Sequence, residues 1–353
     1  MHPYISNRVM AAERESNIEL LRIVSMLMVV LVHIDGASLG LPQALTVAAT
    51  ARDVWQLAVE ALVIIGVNCF TLISGYFGIR LRVRTALGYL FQCIFYAVAL
   101  ATLAWIIRPD KVGADIWLQS WMVLTHTDLW YVPAYFLLML LSPLINAGLE
   151  GIGRRGTFLV TGLFLAYTMW AGWWWGGTFN ANGYTPLQLV LVYMMGRCLH
   201  LLPRPSARHA WLWAGVYLAS AVAVCLSTAF LDSIRAYAYN SPLVLMESVA
   251  MFMAFSAMRF RSRAVNHAAK SAFAVYLVHK SQLVFGSIFK PLMLKCWGAM
   301  SLGSFTGFML LFAVGIYLAL MPADWVRRRV WLGLLKLKAE RREKPPVRPK
   351  SLS

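Results

Sequence analysis

Charge is what this sequence has least of. Asp, Glu, Lys and Arg make up 13% of its 353 residues, against about 25% in an ordinary soluble domain. The AVILMFWYC set makes up 60%. A chain this apolar has too little polar surface to face water, which excludes a soluble enzyme, a disordered chain and a secreted disulfide module. Acidic residues are scarcer still: 15 against 32 Lys and Arg, a net charge of +17. Cysteine is confined to Cys69, Cys93, Cys198, Cys225 and Cys296. None forms a CxxC pair, so they read as small apolar packing residues, and no metal is expected. A Walker loop, an HExxH pair and a GxGxxG turn in a βαβ setting are absent. No repeat stands out at a fixed period. The first 18 residues are polar, and the first apolar stretch is too long and lacks a small-x-small site, so no cleavable signal peptide is expected.

Long apolar runs are abundant instead. Residues 85–107, 129–149, 156–196 and 296–323 hold no Asp, Glu, Lys or Arg, and about 20 apolar residues suffice to cross a bilayer. The pattern predicts an all-α, multi-pass membrane protein with about ten spanning segments, near 19–39, 54–78, 86–107, 128–148, 157–175, 186–202, 210–230, 242–260, 271–289 and 303–325. The sixth is the weakest, because Arg197 and His200 interrupt it. Cationic loops set the orientation. With the N-terminus inside, 24 Lys and Arg fall on cytoplasmic connections and 6 on outer ones, so both termini are expected in the cytoplasm. Residues 1–18 then form a cytoplasmic segment, 19–325 the membrane domain, and 326–353 a basic cytoplasmic tail expected to be disordered. The positive excess is a topology signal, with anionic lipid as a partner for the tail, and it gives no ground for a nucleic-acid partner. Ten of the 14 tryptophans, Trp130 among them, map to the outer side. An interfacial belt accounts for them, although its one-sidedness leaves room for a platform that stacks on sugar.

Charged and imidazole side chains inside the membrane are costly, about 2.5–3.5 kcal/mol at a helix centre on insertion scales. They are Arg22, His33, Glu60, Glu247, His279 and Lys280, with His126 and Asp128 at the outer mouth of the fourth segment. Arg22 and His33 are 11 positions apart on the first segment. At 100° per residue they share one face, about 16.5 Å apart along the axis. Glu19 is placed to pair with Arg22. Asp35 points about 200° away from His33 and cannot orient it within a regular helix. Guanidinium suits bidentate phosphate contact, and imidazole suits proton transfer near neutral pH. A ligand with phosphate at one end and a reactive group a long arm away fits this stripe, and coenzyme A thioesters have that shape. Structural pairing of Arg22 with Glu19 and a packed His33 is the competing reading. Glu60 and Glu247 are placed to pair with Lys280 or a histidine.

Five stretches resemble acyltransferase family 3, the integral membrane O-acyltransferases: Glu19-LLRIVSMLMVVLVH-His33, Val67-NCFTLISGYFG-Gly78, Leu129-WYVPAYFLLMLLSPLIN-Asn146, Tyr239-NSPLVL-Leu245 and Val275-YLVH-His279. They occur in family order over most of the chain. A second histidine often flanks the first in that family, whereas Val32 and Ile34 flank His33 here. The resemblance implies transfer of an acyl group, acetyl above all, from cytoplasmic acyl-CoA to a hydroxyl of an envelope polysaccharide or lipid-linked sugar, in a bacterial plasma (inner) membrane. It implies His33 as the catalytic base and Arg22 as its companion on the CoA side, with Arg80, Arg82 and Arg84 as further candidates for the nucleotide. Ser74 or the Gly75 backbone is the candidate oxyanion donor, and His126, Trp130, Tyr131 and His279 are acceptor-side candidates. The alternative class is a transporter or flippase for a glycan or lipid-linked sugar, supported by helix count and by Glu60, Glu247 and Lys280.

Overall fold

A computed structural model describes residues 15–125, 127–176 and 179–343, with the backbone alone for 181 and 337–343. Every regular element among them is helical. In chain order they are α1 (Ser16–Ile34), α2 (Ala51–Val63), α3 (Gly66–Phe77), α4 (Val83–Ile107), α5 (Ala114–Trp121), α6 (Tyr131–Tyr167), α7 (Pro186–His200), α8 (Ala210–Ser227), the single turn α9 (Ser233–Ala236), α10 (Pro242–Ala257), α11 (Arg263–Ala268), α12 (Ala272–His279), the turn α13 (Gln282–Val284), α14 (Lys290–Ala299) and α15 (Leu302–Glu343). Local chemistry marks several starts. Thr50 and Asp53 form a capping box on α2, each accepting from the other's backbone N–H. Thr185 caps α7, with Pro186 in its first turn.

Among the described residues six stretches are long and apolar enough to cross a membrane, and seven if the pair Arg263–His279 and Gln282–Ala299, bent by 62°, is one span. The segmentation into about ten differs for three physical reasons. First, the expected fourth and fifth segments are the two limbs of α6. Gly153 takes φ 68°, in the left-handed region open to glycine. There the chain doubles back, because Thr157 Oγ1 donates to the Leu149 carbonyl at 3.1 Å, whereas eight residues of straight helix span about 12 Å. Second, α7 and α10 have 15 and 16 residues. Third, the ninth segment breaks after His279, where Ser281 turns extended, so His279 and Lys280 lie at a helix end and not midway along one. At the C-terminal side, α15 continues through Glu343, so residues 326–343 are helical where disorder was expected. Residues 344–353 and 1–14 lie outside the described residues.

The first helix is the hub. α1 packs against α2, α3, α10, α11, α12 and α15, and Leu21, Val30 and Ile34 are completely buried. By contrast, 17% of the most apolar window of α4, and of α8, is buried, against 67% for α2–α3. Apolar side chains such as Leu103, Ile107, Leu218 and Val222 remain on the outside, as a lipid-facing surface requires. Lipid offers helices no hydrophobic drive to associate, so close approach at small residues matters. A Cβ on Gly66 would lie 2.7 Å from the Ser25 carbonyl oxygen of α1; one on Gly75 would lie 2.1 Å from the Tyr193 oxygen of α7; one on Gly196 would lie 2.5 Å from the Leu72 oxygen of α3. The α1–α3–α7 stack is thus a backbone-to-backbone contact. Gly75→Ala is expected to cost about 1–3 kcal/mol or more, lowering the melting temperature in detergent. Gly148→Ala, which meets nothing within 4 Å, should leave that temperature unchanged.

Candidate active site

A cavity of about 470 Å³ runs along α1 and is lined by Arg22, Met26, Val29, Val32 and His33. This is the stripe inferred from helical spacing. Ser74, Trp130 and Tyr131 line the same cavity, with Tyr89, Tyr135, Tyr239, Phe273 and Tyr276 as aromatic walls. Tyr131 stacks on Tyr135 with ring centroids 5.4 Å apart, and Tyr89 on Phe273 at 5.2 Å. Tyr89 is pinned by its hydroxyl on the Val132 carbonyl at 2.9 Å. Arg22 pairs with Glu19 at 3.5 Å, and Lys270 and Arg328 join it on the lining. The cavity therefore has a basic end and an imidazole end joined by an aromatic middle.

The imidazole end is built from two histidines. His279 is 1% exposed, and its Nδ1 lies 2.6 Å from the Val275 carbonyl oxygen. A carbonyl only accepts, so Nδ1 carries the hydrogen, and neutral His279 presents Nε2 as an acceptor. That Nε2 lies 2.8 Å from His33 Nδ1. The network thus assigns the hydrogen of His33 to Nδ1 and leaves its lone pair on Nε2. Phe285 meets the His33 ring edge-on at 6.0 Å, and Lys280 sits over Phe285 at 4.1 Å. The chain leaves α1 by a π-helical turn, Asp35–Leu39, in which Ser38 Oγ donates to the His33 carbonyl at 2.6 Å. Gly36, Ser38 and Gly40 have GxSxG spacing, but this buried serine is tied to the backbone and does not stand at a strand-to-helix turn.

Other expectations are redistributed. His279 is packed against His33 and is not part of the cavity lining. Gly75 packs against α7 and is not part of the cavity lining, whereas Ser74 Oγ donates to the Phe70 carbonyl and shares a hydrogen bond with Tyr135 Oη at 3.1 Å. Arg80, Arg82 and Arg84 are exposed and do not line the cavity. His126 lies outside the described residues. Asp35 accepts from Gln56 Nε2 at 3.1 Å and not from His33. Glu60 lies against Gly36, and neither it nor Glu247 makes an ion pair among the described residues; both Glu247 oxygens lack a partner. Of the outer tryptophans, Trp130 alone lines the cavity. Trp105, Trp121, Trp170, Trp174 and Trp175 are more than half exposed, as a belt requires. Trp130 meets Tyr184 edge-on at 5.1 Å and Tyr239 at 6.0 Å, an aromatic cluster that single residues did not announce. Among the described residues no group of His, Cys, Asp or Glu is arranged to hold a metal ion.

The two kinds of buried carboxylate predict opposite responses. Glu247 is buried without a hydrogen bond, so Glu247→Leu should be neutral or stabilising. Asp324 is fully buried between Arg327 and Arg328, and Asp324→Leu should cost about 3–5 kcal/mol by stranding them. Unfolding in detergent measures both.

The cavity can hold a phosphate-bearing arm along α1 and present a lone pair at its far end. Residues 15–324 match the family model described as Acyltransferase domain. No match to a curated protein or to a solved structure was found. The matched span covers most of the chain, and the protein belongs to acyltransferase family 3.

Proposed function

We propose that this protein moves an acyl group, acetyl above all, from acyl-CoA to a hydroxyl of an envelope polysaccharide or lipid-linked sugar, with His33 as general base. One observation carries the reading: a single cavity joins Arg22 to His33, and the His279 contact leaves the His33 lone pair on Nε2. The thioester arm lies along α1. The acceptor hydroxyl gives its proton to His33 Nε2 as its oxygen attacks the thioester carbonyl carbon. The carbon–sulfur bond then breaks, and the imidazolium returns the proton to the departing CoA thiolate. Ser74 would serve as the oxyanion donor by turning its hydroxyl hydrogen from the Phe70 carbonyl to the substrate. Trp130, Tyr184 and Tyr239 form the sugar-stacking surface. The charge pattern supports an even number of spanning segments with both termini in the cytoplasm, and the family supports a bacterial plasma membrane setting, so that CoA enters at the basic end and the sugar from the other.

His33→Ala is expected to abolish acyl transfer in proteoliposomes while membrane insertion stays normal. His279→Ala is expected to lower kcat about 10- to 100-fold, as loss of an orienting partner does, with KM for acyl-CoA unchanged. Full activity in His33→Ala would sink the mechanism. Vectorial movement of a lipid-linked sugar without acylation would favour a flippase instead.

A further inference from the structure

The basic end of the cavity holds more positive charge than its own carboxylates neutralise. Arg22, Lys270 and Arg328 line it. Behind them, Asp324 accepts from Arg327 at 3.0 and 2.7 Å, from Ser271 at 3.1 Å, from Tyr96 at 3.2 Å, and from Arg328. Glu19 serves Arg22. Four cations against two carboxylates leave this cluster with a net charge of +2. Arg328 is gripped on one side only. Its Nη1 meets Asp324 and Ser271, while its Nη2 has no partner. Lys270 is exposed. The cluster is brought together by α1, α15 and the 3₁₀ turn Ala269–Ser271, which pack on one another. Uncompensated charge beside an apolar cavity favours a bound anion.

We infer that Lys270 and Arg328, together with Arg22, form a phosphate subsite that holds the phosphates of the acyl donor, with Arg328 held by Asp324 and Ser271. The inference rests on the acyl-CoA reading and names where that ligand is anchored. A guanidinium fixed on one edge keeps its other edge for a phosphate oxygen, and the lysine adds a mobile point charge. From Arg22 the helix rises about 16.5 Å to His33, the order of length of a pantetheine arm. The exposed arginines after α3 have no part in the subsite.

The test is calorimetric titration of the full chain in phosphatidylcholine nanodiscs with CoA and with pantetheine, which lacks the phosphates. Lys270→Gln and Arg328→Gln should each weaken CoA binding at least tenfold and leave pantetheine binding within twofold; the exposed Arg154→Gln should change neither. Unchanged CoA binding in the two variants overturns the subsite while the acyl-CoA reading survives. Equal loss of both ligands in Lys270→Gln, whose exposed site tolerates the change, overturns it too. Wild-type protein that binds no CoA removes the acyl-CoA reading itself. A final arm adds phosphatidylglycerol. If that lipid competes with CoA in the wild type while both variants bind CoA normally in phosphatidylcholine, the charge serves a lipid headgroup and the proposal fails.

Discussion

A backbone carbonyl two hydrogen bonds away sets the tautomer of His33. Val275 O takes the hydrogen of His279 Nδ1, His279 Nε2 takes that of His33, and the lone pair of His33 has one place left. The relay needs no charge, which suits an apolar interior where an ion pair is costly. It does need two helices locked in register. His279 is the last residue of α12, and the helix break that follows frees the chain to place Phe285 and Phe289 around the two rings. His33 sits at the last turn of α1, just before the π-helical turn. The site lies where two helices end, with side chains that a continuous pair would carry past each other.

The rest of the fold serves that register. Glycines at the α1–α3 and α3–α7 contacts let backbones touch, which is how helices gain specificity in a solvent as apolar as their own side chains. Buried charge is well furnished at the Asp324 cluster, where five donor atoms from Tyr96, Ser271, Arg327 and Arg328 converge on one carboxylate. Glu247, in the same protein, has none. The difference separates a carboxylate that organises cations from one that the packing merely encloses.

Some of the site was legible in the sequence. Arg22 and His33 could be placed on one face because a helix turns 100° per residue, and eleven residues almost close three turns. Ser74, Trp130 and Tyr131 were marked by family motifs and share the cavity with them. Other marked residues lie off the cavity lining, for definite reasons. Arg80, Arg82 and Arg84 read as nucleotide ligands because they are basic and nearby in sequence, yet they face outward. Lys270 and Arg328 passed as loop and tail charge, since counting cations for topology discards their neighbours. His279 was placed on the acceptor side, and its contact with His33 went unread, because no spacing rule states which side of another ring it will occupy. The segmentation did separate the two limbs of α6, because Arg154 and Arg155 interrupt the apolar run beside Gly153, whose positive φ makes the break.

The sequence by itself determined the solvent, the helical class and the stripe on the first helix, because these follow from composition and from the period of a single rod. The tertiary structure alone decided which nitrogen of His33 is free, which cations gather at the basic end and which aromatics wall the cavity. Each of those depends on contacts between residues far apart in sequence, 246 positions for His33 and His279 and 184 for Tyr89 and Phe273. A local period carries no information about such distances; packing supplies it.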